Sequence, residues 1–200
     1  MDDRPADADL IAASLTDPAR FALIFDRHYG VIHRYLARRI GWALAEDLTA
    51  AVFLKAFESR ERFRPRASSA APWLYGIASN VLRRHARTEV RRLRAYGRLP
   101  RGEAADVDVG AVVDRADAAS AAPRVYKALA ELHEAERTTL LLVAWADLSY
   151  EEVAVALDIP VGTVRSRLHR ARGRLRELLG PIGQETDVQG IHAAETPNDG

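Results

Sequence analysis

Residues 149–178 read SYEEVAVALDIPVGTVRSRLHRARGRLREL, and their pattern decides the C-terminal half of the chain. Ser149 is a strong N-cap residue, and Glu152 falls three positions later, the spacing of a capping box. Val153, Ala154 and Leu157 then form one apolar face at helical spacing. Asp158-Ile159-Pro160 should end that helix, because a proline disfavours helical backbone at the residue before it. Pro160 also suits the first turn of a new helix. In the second helix Val161, Val164, Leu168, Ala171, Leu175 and Leu178 fall on one side. Thr163, Arg165, Ser166, His169, Arg170, Arg172 and Arg176 fall on the other. A capped helix, a proline turn and a helix with one-sided arginines is the layout of a helix-turn-helix. Such a second helix lies in the major groove, with its first residues at base edges and later cations at phosphate. The alternative for that face alone is a solvated basic surface, as charge runs usually are.

The wider chain carries no cysteine, which rules out a disulfide frame, a thiolate nucleophile or a cysteine zinc site. The six histidines show no metal-ligand spacing, and phosphate-loop and hydrolase motifs are missing. No cofactor and no catalytic residue are therefore expected. No apolar run reaches the length of a membrane span, and MDDRPADADL lacks the order of a signal peptide, so a cytoplasmic protein is expected. The net charge is only +1, but it is unevenly placed. Residues 83–98 and 165–176 are basic and residues 103–117 mostly acidic, which suits two separate nucleic-acid contacts.

Read in order, residues 1–17 form a polar extension with a short helix around Leu10 to Leu15 and no assigned chemistry. Pro18 opens an amphipathic helix through Phe21, Ile24, Phe25, Tyr29, Ile32 and Leu36 that Gly41 breaks. A second helix runs from about Leu44 to Ser59, with Leu48, Val52, Phe53 and Phe57 as its apolar side. Residues 60–72 are a basic loop. A third helix starts near Pro72, with Trp73, Leu74, Ile77, Val81 and Leu82 on one face and Asn80, Arg83, Arg84 and Arg87 around the rest. Trp73 reads as a core residue. Residues 97–121 read as a linker, poor in large apolar side chains. Helical patterning resumes with Val125, Leu129 and Leu132, then with Leu140 to Ala144, and residues 180–200 read as a disordered tail. The whole is an all-α chain of two small helical domains, 18–96 and 122–179, joined by a flexible linker.

The segments LSYEEVA (148–154) and IPVGTVRSRLHRAR (159–172) closely resemble the DNA-reading end of extracytoplasmic-function (ECF) sigma factors, small members of the sigma-70 family. AEDLTAAVFLKAF (45–57) and PWLYGIASNVLRRHAR (72–87) resemble the sigma-2 domain, and ALAELHEAER (128–137) the entry to sigma-4. Two departures stand out. Asp158 replaces a common glycine, although aspartate tolerates left-handed backbone better than most residues. Ala50 and Ala51 replace a glutamine and an acidic residue. The resemblance implies a protein that directs core RNA polymerase to promoters. Glu46, Asp47, Phe53 and Lys55 would dock on the clamp of the large polymerase subunit. For Glu46 and Asp47 the plainer reading is favourable charge near a helix N-terminus. Arg64, Arg66, Asn80, Arg83, Arg84 and Arg87 would hold the opened minus-10 element, with the 60–72 loop as the pocket for an unstacked base. Thr163, Arg165, Ser166, His169, Arg170 and Arg172 would read the minus-35 duplex. The linker would thread the polymerase, or be a mere tether. Family members are commonly held inactive by an anti-sigma partner, which this sequence does not identify. A stand-alone helix-turn-helix regulator is the alternative; it would explain 149–178 and leave 18–95 without a task.

Overall fold

The computed structural model describes residues 5–65, 69–95 and 122–180. Every regular element among them is helical. The chain begins with α1 (Asp7–Ala13) and a 3-10 turn at Pro18–Phe21, followed by α2 (Ala22–Ile40), α3 (Trp42–Ser59) and α4 (Ala71–Ala95). The second set is α5 (Ala122–Ala130), α6 (Glu134–Ala146), α7 (Tyr150–Leu157) and α8 (Val161–Leu179). The expected linker and tail lie outside the described residues.

The first module is a bundle in which α2, α3 and α4 pack on one another. Ile24, Ile32, Leu36, Val52, Ala56, Leu74 and Ala78 are buried in its centre. Gly41, at φ 79°, makes the sharp joint between α2 and α3, a conformation that favours glycine. Tyr35 and Tyr75 meet edge-on at 5.2 Å between α2 and α4. Burial, followed by the nearby Tyr35, pushes the Tyr75 hydroxyl up to about 12 against the lowering influence of Arg34.

In the second module α8 packs on α5, α6 and α7 through Val164, Leu168 and Ala171. A buried arginine ties the entry helix down: Arg137 of α6 donates to the carbonyls of Leu129 and Ala130 at the C-terminus of α5. Carbonyls at a helix end have no partner within the helix, so a cation there satisfies them and meets the negative end of the dipole.

The two modules touch. Helix α7 lies along α4, and α6 reaches α2. At the crossing, Gly76 faces the main chain of Ala156 so closely that a Cβ at 76 would sit 2.3 Å from the Ala156 oxygen. Arg38 of α2 lies over the Trp145 ring of α6, 6.0 Å from its centroid.

Candidate nucleic-acid interface

The helix-turn-helix is built as its sequence prescribes. Ser149 Oγ accepts from the Glu152 N–H at 3.2 Å, and Glu152 Oε2 accepts from the Ser149 N–H at 2.9 Å, so both halves of the capping box are made. Asp158 ends α7 at φ 51°, ψ 51°, so the departure from glycine leaves the left-handed turn intact. Pro160 then stands as the N-cap of α8 in extended backbone. With Val164, Leu168 and Ala171 buried, Arg165, Ser166, His169, Arg170 and Arg172 are exposed and Thr163 is half-buried. Ser166 Oγ donates to the Thr163 carbonyl at 3.0 Å. Two cations are tethered: Arg170 Nε lies 2.6 Å from Glu136 Oε1, and Arg172 donates to the Tyr150 hydroxyl at 3.4 Å. These two are thereby aimed by α6 and α7, whereas Arg165 projects at the start of the helix, where base edges are reached.

The second basic surface lies on α4. Asn80, Arg83, Arg84 and Arg87 line a groove of about 680 Å³ whose opposite wall is α3, through Ala51, Lys55 and Ser59. Arg83 donates to the Asn80 side chain. Lys55, expected among the polymerase contacts, thus shares the arginine groove, although it also pairs with Glu58 at 3.2 Å. It lies about two and a half turns along α3 from Glu46, on the opposite side of the helix. Glu46 and Asp47 are exposed on another part of α3.

Phe53 is not available as a docking side chain. It is only 4% exposed, and its ring packs edge-on against Phe25 at 4.8 Å and beside Tyr29. The most exposed apolar side chains of α3 are Leu54, at 61% exposure, and Trp42, at 63%, ahead of Leu44 at 43%. Leu54 and Trp42 escaped the sequence reading, which sought apolar residues at core spacing. A leucine on the polar side of a helix was the available signal. Trp73 is half-buried against Phe63 at 4.9 Å, which makes it a packing residue at the loop. Arg64 turns back to donate to the carbonyls of Glu61 and Phe63. Arg66 lies outside the described residues.

Two family models match the chain: sigma-70 region 2 over residues 24–92, and sigma-70 region 4 over residues 123–175. The RNA polymerase sigma factor CarQ of Myxococcus xanthus is 34% identical over 166 residues, covering 82% of this chain and 92% of the relative. The ECF RNA polymerase sigma-E factor of Haemophilus influenzae is 32% identical over 179 residues, covering 83% and 90%. This chain belongs to the ECF sigma factors of the sigma-70 family. The sigma factor RpoE of Bartonella quintana, solved in complex with the anti-sigma factor NepR, shares the fold, with a TM-score of 0.60 at 24% identity over 82% of this chain and 98% of that one.

Membership gives the first module its task. The protein is an RNA polymerase sigma factor that directs transcription initiation at promoters, and the stand-alone regulator is set aside because both sigma regions are present in order. No described helix of the sigma factor is long and apolar enough to cross a membrane.

Proposed function

We propose that the two basic surfaces divide the promoter between them. In this reading α8 enters the major groove at the minus-35 element, with Arg165 and Ser166 at base edges and Thr163, His169, Arg170 and Arg172 reading or gripping phosphate. The α3–α4 groove, with Asn80, Arg83, Arg84 and Arg87, holds the opened minus-10 strand, and Lys55 joins it there. Arg64 and Arg66 belong to the adjoining loop, which receives an unstacked base. Glu46 and Asp47, together with exposed Leu54, dock on the clamp of the large polymerase subunit. Phe53 supports that surface from beneath. The observation that carries the division is the grouping of the four α4 side chains in one groove, separate from the outward face of α8.

The work is binding rather than covalent chemistry, carried out in the cytoplasm with core RNA polymerase and promoter DNA. Residues 97–121 serve as the tether that lets the modules reach separate DNA elements. An anti-sigma partner is the natural antagonist, supported by the complex in which the Bartonella RpoE was solved. Run-off transcription from a promoter library with bacterial core enzyme, with and without this protein, is the test. Transcripts that need the protein and share two spaced elements are expected. Unaided binding of DNA by a protein that does not associate with core enzyme would overturn the reading.

A further inference from the structure

Helix α1 precedes the region-2 match, which begins at residue 24, yet it is firmly seated. Leu10 and Ile11 are buried in the module core. Beside them Asp7, with a side chain 4% exposed, stands at the centre of a polar cluster. Its Oδ2 accepts from the Ala70 N–H at 2.7 Å, from Ser69 Oγ at 3.1 Å and from His28 Nε2 at 2.7 Å. Its Oδ1 accepts from Arg27. Ser69 Oγ in turn accepts from the Ala71 N–H at 3.1 Å. The first N–H groups of a helix lack internal partners, and a negative charge near them is favourable. Asp7 therefore helps cap α4 from another helix, directly at Ala70 and through Ser69 at Ala71.

The far end of α1 makes a second attachment. Arg60 Nε donates to the Ser14 carbonyl at 3.4 Å, and the same guanidinium donates to the Phe57 carbonyl at 2.6 Å and lies 3.8 Å above the Phe57 ring. Ser14 Oγ closes α1 by donating to the Ile11 carbonyl at 2.6 Å. One short helix thus holds residue 60 where α3 ends and residues 69–70 where α4 begins.

We propose that Asp7 is a positioning residue for promoter opening: through Ser69 and Ala70 it fixes the start of α4, and thereby the placement of Asn80, Arg83, Arg84 and Arg87 on the opened minus-10 strand. The inference rests on the reading that the α4 groove holds that strand. A carboxylate is required because all of its partners are donors. An asparagine that kept the Ala70 bond would turn its amide N–H₂ toward Arg27, donor against donor. Burial alone would raise the Asp7 carboxyl, but the Ala70 bond, His28 and Arg27 together hold it below its usual range, which keeps it charged as the cluster needs.

The test uses the full chain as Asp7→Ala, Asp7→Asn and Arg84→Ala/Arg87→Ala, each reconstituted with core polymerase. Three quantities are read: affinity for core enzyme, affinity of the holoenzyme for a single-stranded minus-10 oligonucleotide, and permanganate reactivity of thymines at a duplex promoter. Asp7→Ala should weaken strand binding and opening roughly tenfold, the scale of losing hydrogen bonds to a buried charge, while core affinity stays within about twofold. Asp7→Asn, which keeps the volume, should show a smaller loss of the same kind and decides the matter if Asp7→Ala does not fold. Parallel loss of core affinity and strand binding in Asp7→Asn would make the residue merely structural and overturn the proposal. So would unchanged strand binding in Asp7→Asn while the arginine variant loses it. Unchanged strand binding in the arginine variant would instead overturn the reading of the α4 groove on which the proposal rests.

Discussion

Gly76→Ala adds a single methyl group at the point where the two modules cross, and its effects on the two scales have opposite signs. Within α4 the change is favourable, since alanine in a helix interior is about 0.8–1.0 kcal/mol better than glycine. Across the crossing it is not. The new Cβ would lie 2.3 Å from the Ala156 oxygen and 3.2 Å from its carbon, where ordinary contact begins at 3.4 Å. The opposing atoms are main chain, so no rotamer relieves the clash, and α4 and α7 must part by about 1 Å. Overpacking of this kind costs about 1–3 kcal/mol. The strain is relieved by undocking the modules provided that α7 keeps its packing on α6 and α8 and α4 its packing on α2 and α3. A shift of that size changes the ratio of undocked to docked protein by about 5- to 150-fold.

The chain has no cysteine, so Glu58→Cys and Glu177→Cys introduce two unique labelling sites, both exposed, one on each module. Energy transfer between dyes at these positions should change from its wild-type value in Gly76→Ala, with helical circular dichroism retained. In complex with core polymerase on promoter DNA the two proteins should give the same transfer. Elements centred about 25 base pairs apart are roughly 85 Å apart along the duplex, and in the proposed division of the promoter each module sits on its own element. Identical transfer in the free proteins would show that the crossing does not hold the modules together. A loss of helical signal would show that the strain is relieved inside a module instead.

Other expectations follow from single contacts. Ser149→Ala removes one half of the capping box and should cost about 0.5–2 kcal/mol, read as a lower denaturant midpoint for the second module; an unchanged midpoint would show the cap is dispensable. Arg165→Ala should lose about 1–3 kcal/mol of discrimination between the minus-35 element and random duplex in competition binding, and equal weakening on both would mark Arg165 as a phosphate contact only. Phe53→Ala should destabilise the first module by about 3–5 kcal/mol, and a variant of wild-type stability that fails only in polymerase binding would contradict its burial. Tyr75 is favoured in its neutral form by the fold, so stability should be intact below the usual value near 10 and fall as pH rises from there toward about 12. Tyr75→Phe should flatten that part of the profile.

What could be read from sequence was what repeats locally. The capping box, the Pro160 turn and the two faces of α8 each depend on residues within a few positions of one another, and the structure reproduces them. The Asp7 cluster was not legible, because its partners lie 20, 21, 62 and 63 residues away and no pattern near Asp7 marks it as buried. The same limit explains Lys55. Helical spacing places it off the apolar face of α3, but only the approach of α4 shows that it fronts a groove of arginines. Phe53 shows the converse, since its spacing with Val52 and Phe57 already implied core, and the resemblance drew it toward a docking role that its burial denies.

The contact between α4 and α7 gives these placements a common consequence. Asn80, Arg83 and Arg87 line the α3–α4 groove, and they also line a cleft of about 400 Å³ shared with His133, Glu134 and Arg167 of the second module. One face of α4 therefore serves both the proposed strand site and the docked arrangement. A phosphate approaching these arginines meets both the carboxylate of Glu134 and the guanidinium of Arg167 in the same cleft, so the second module brings charge of both signs to it. If α4 holds the strand as proposed, the strand and the second module contend for one face of α4, although Asn80, Arg83 and Arg87 are already exposed in the docked arrangement. The linkage runs both ways: a ligand that prefers undocked protein must itself be bound more tightly when docking is weakened.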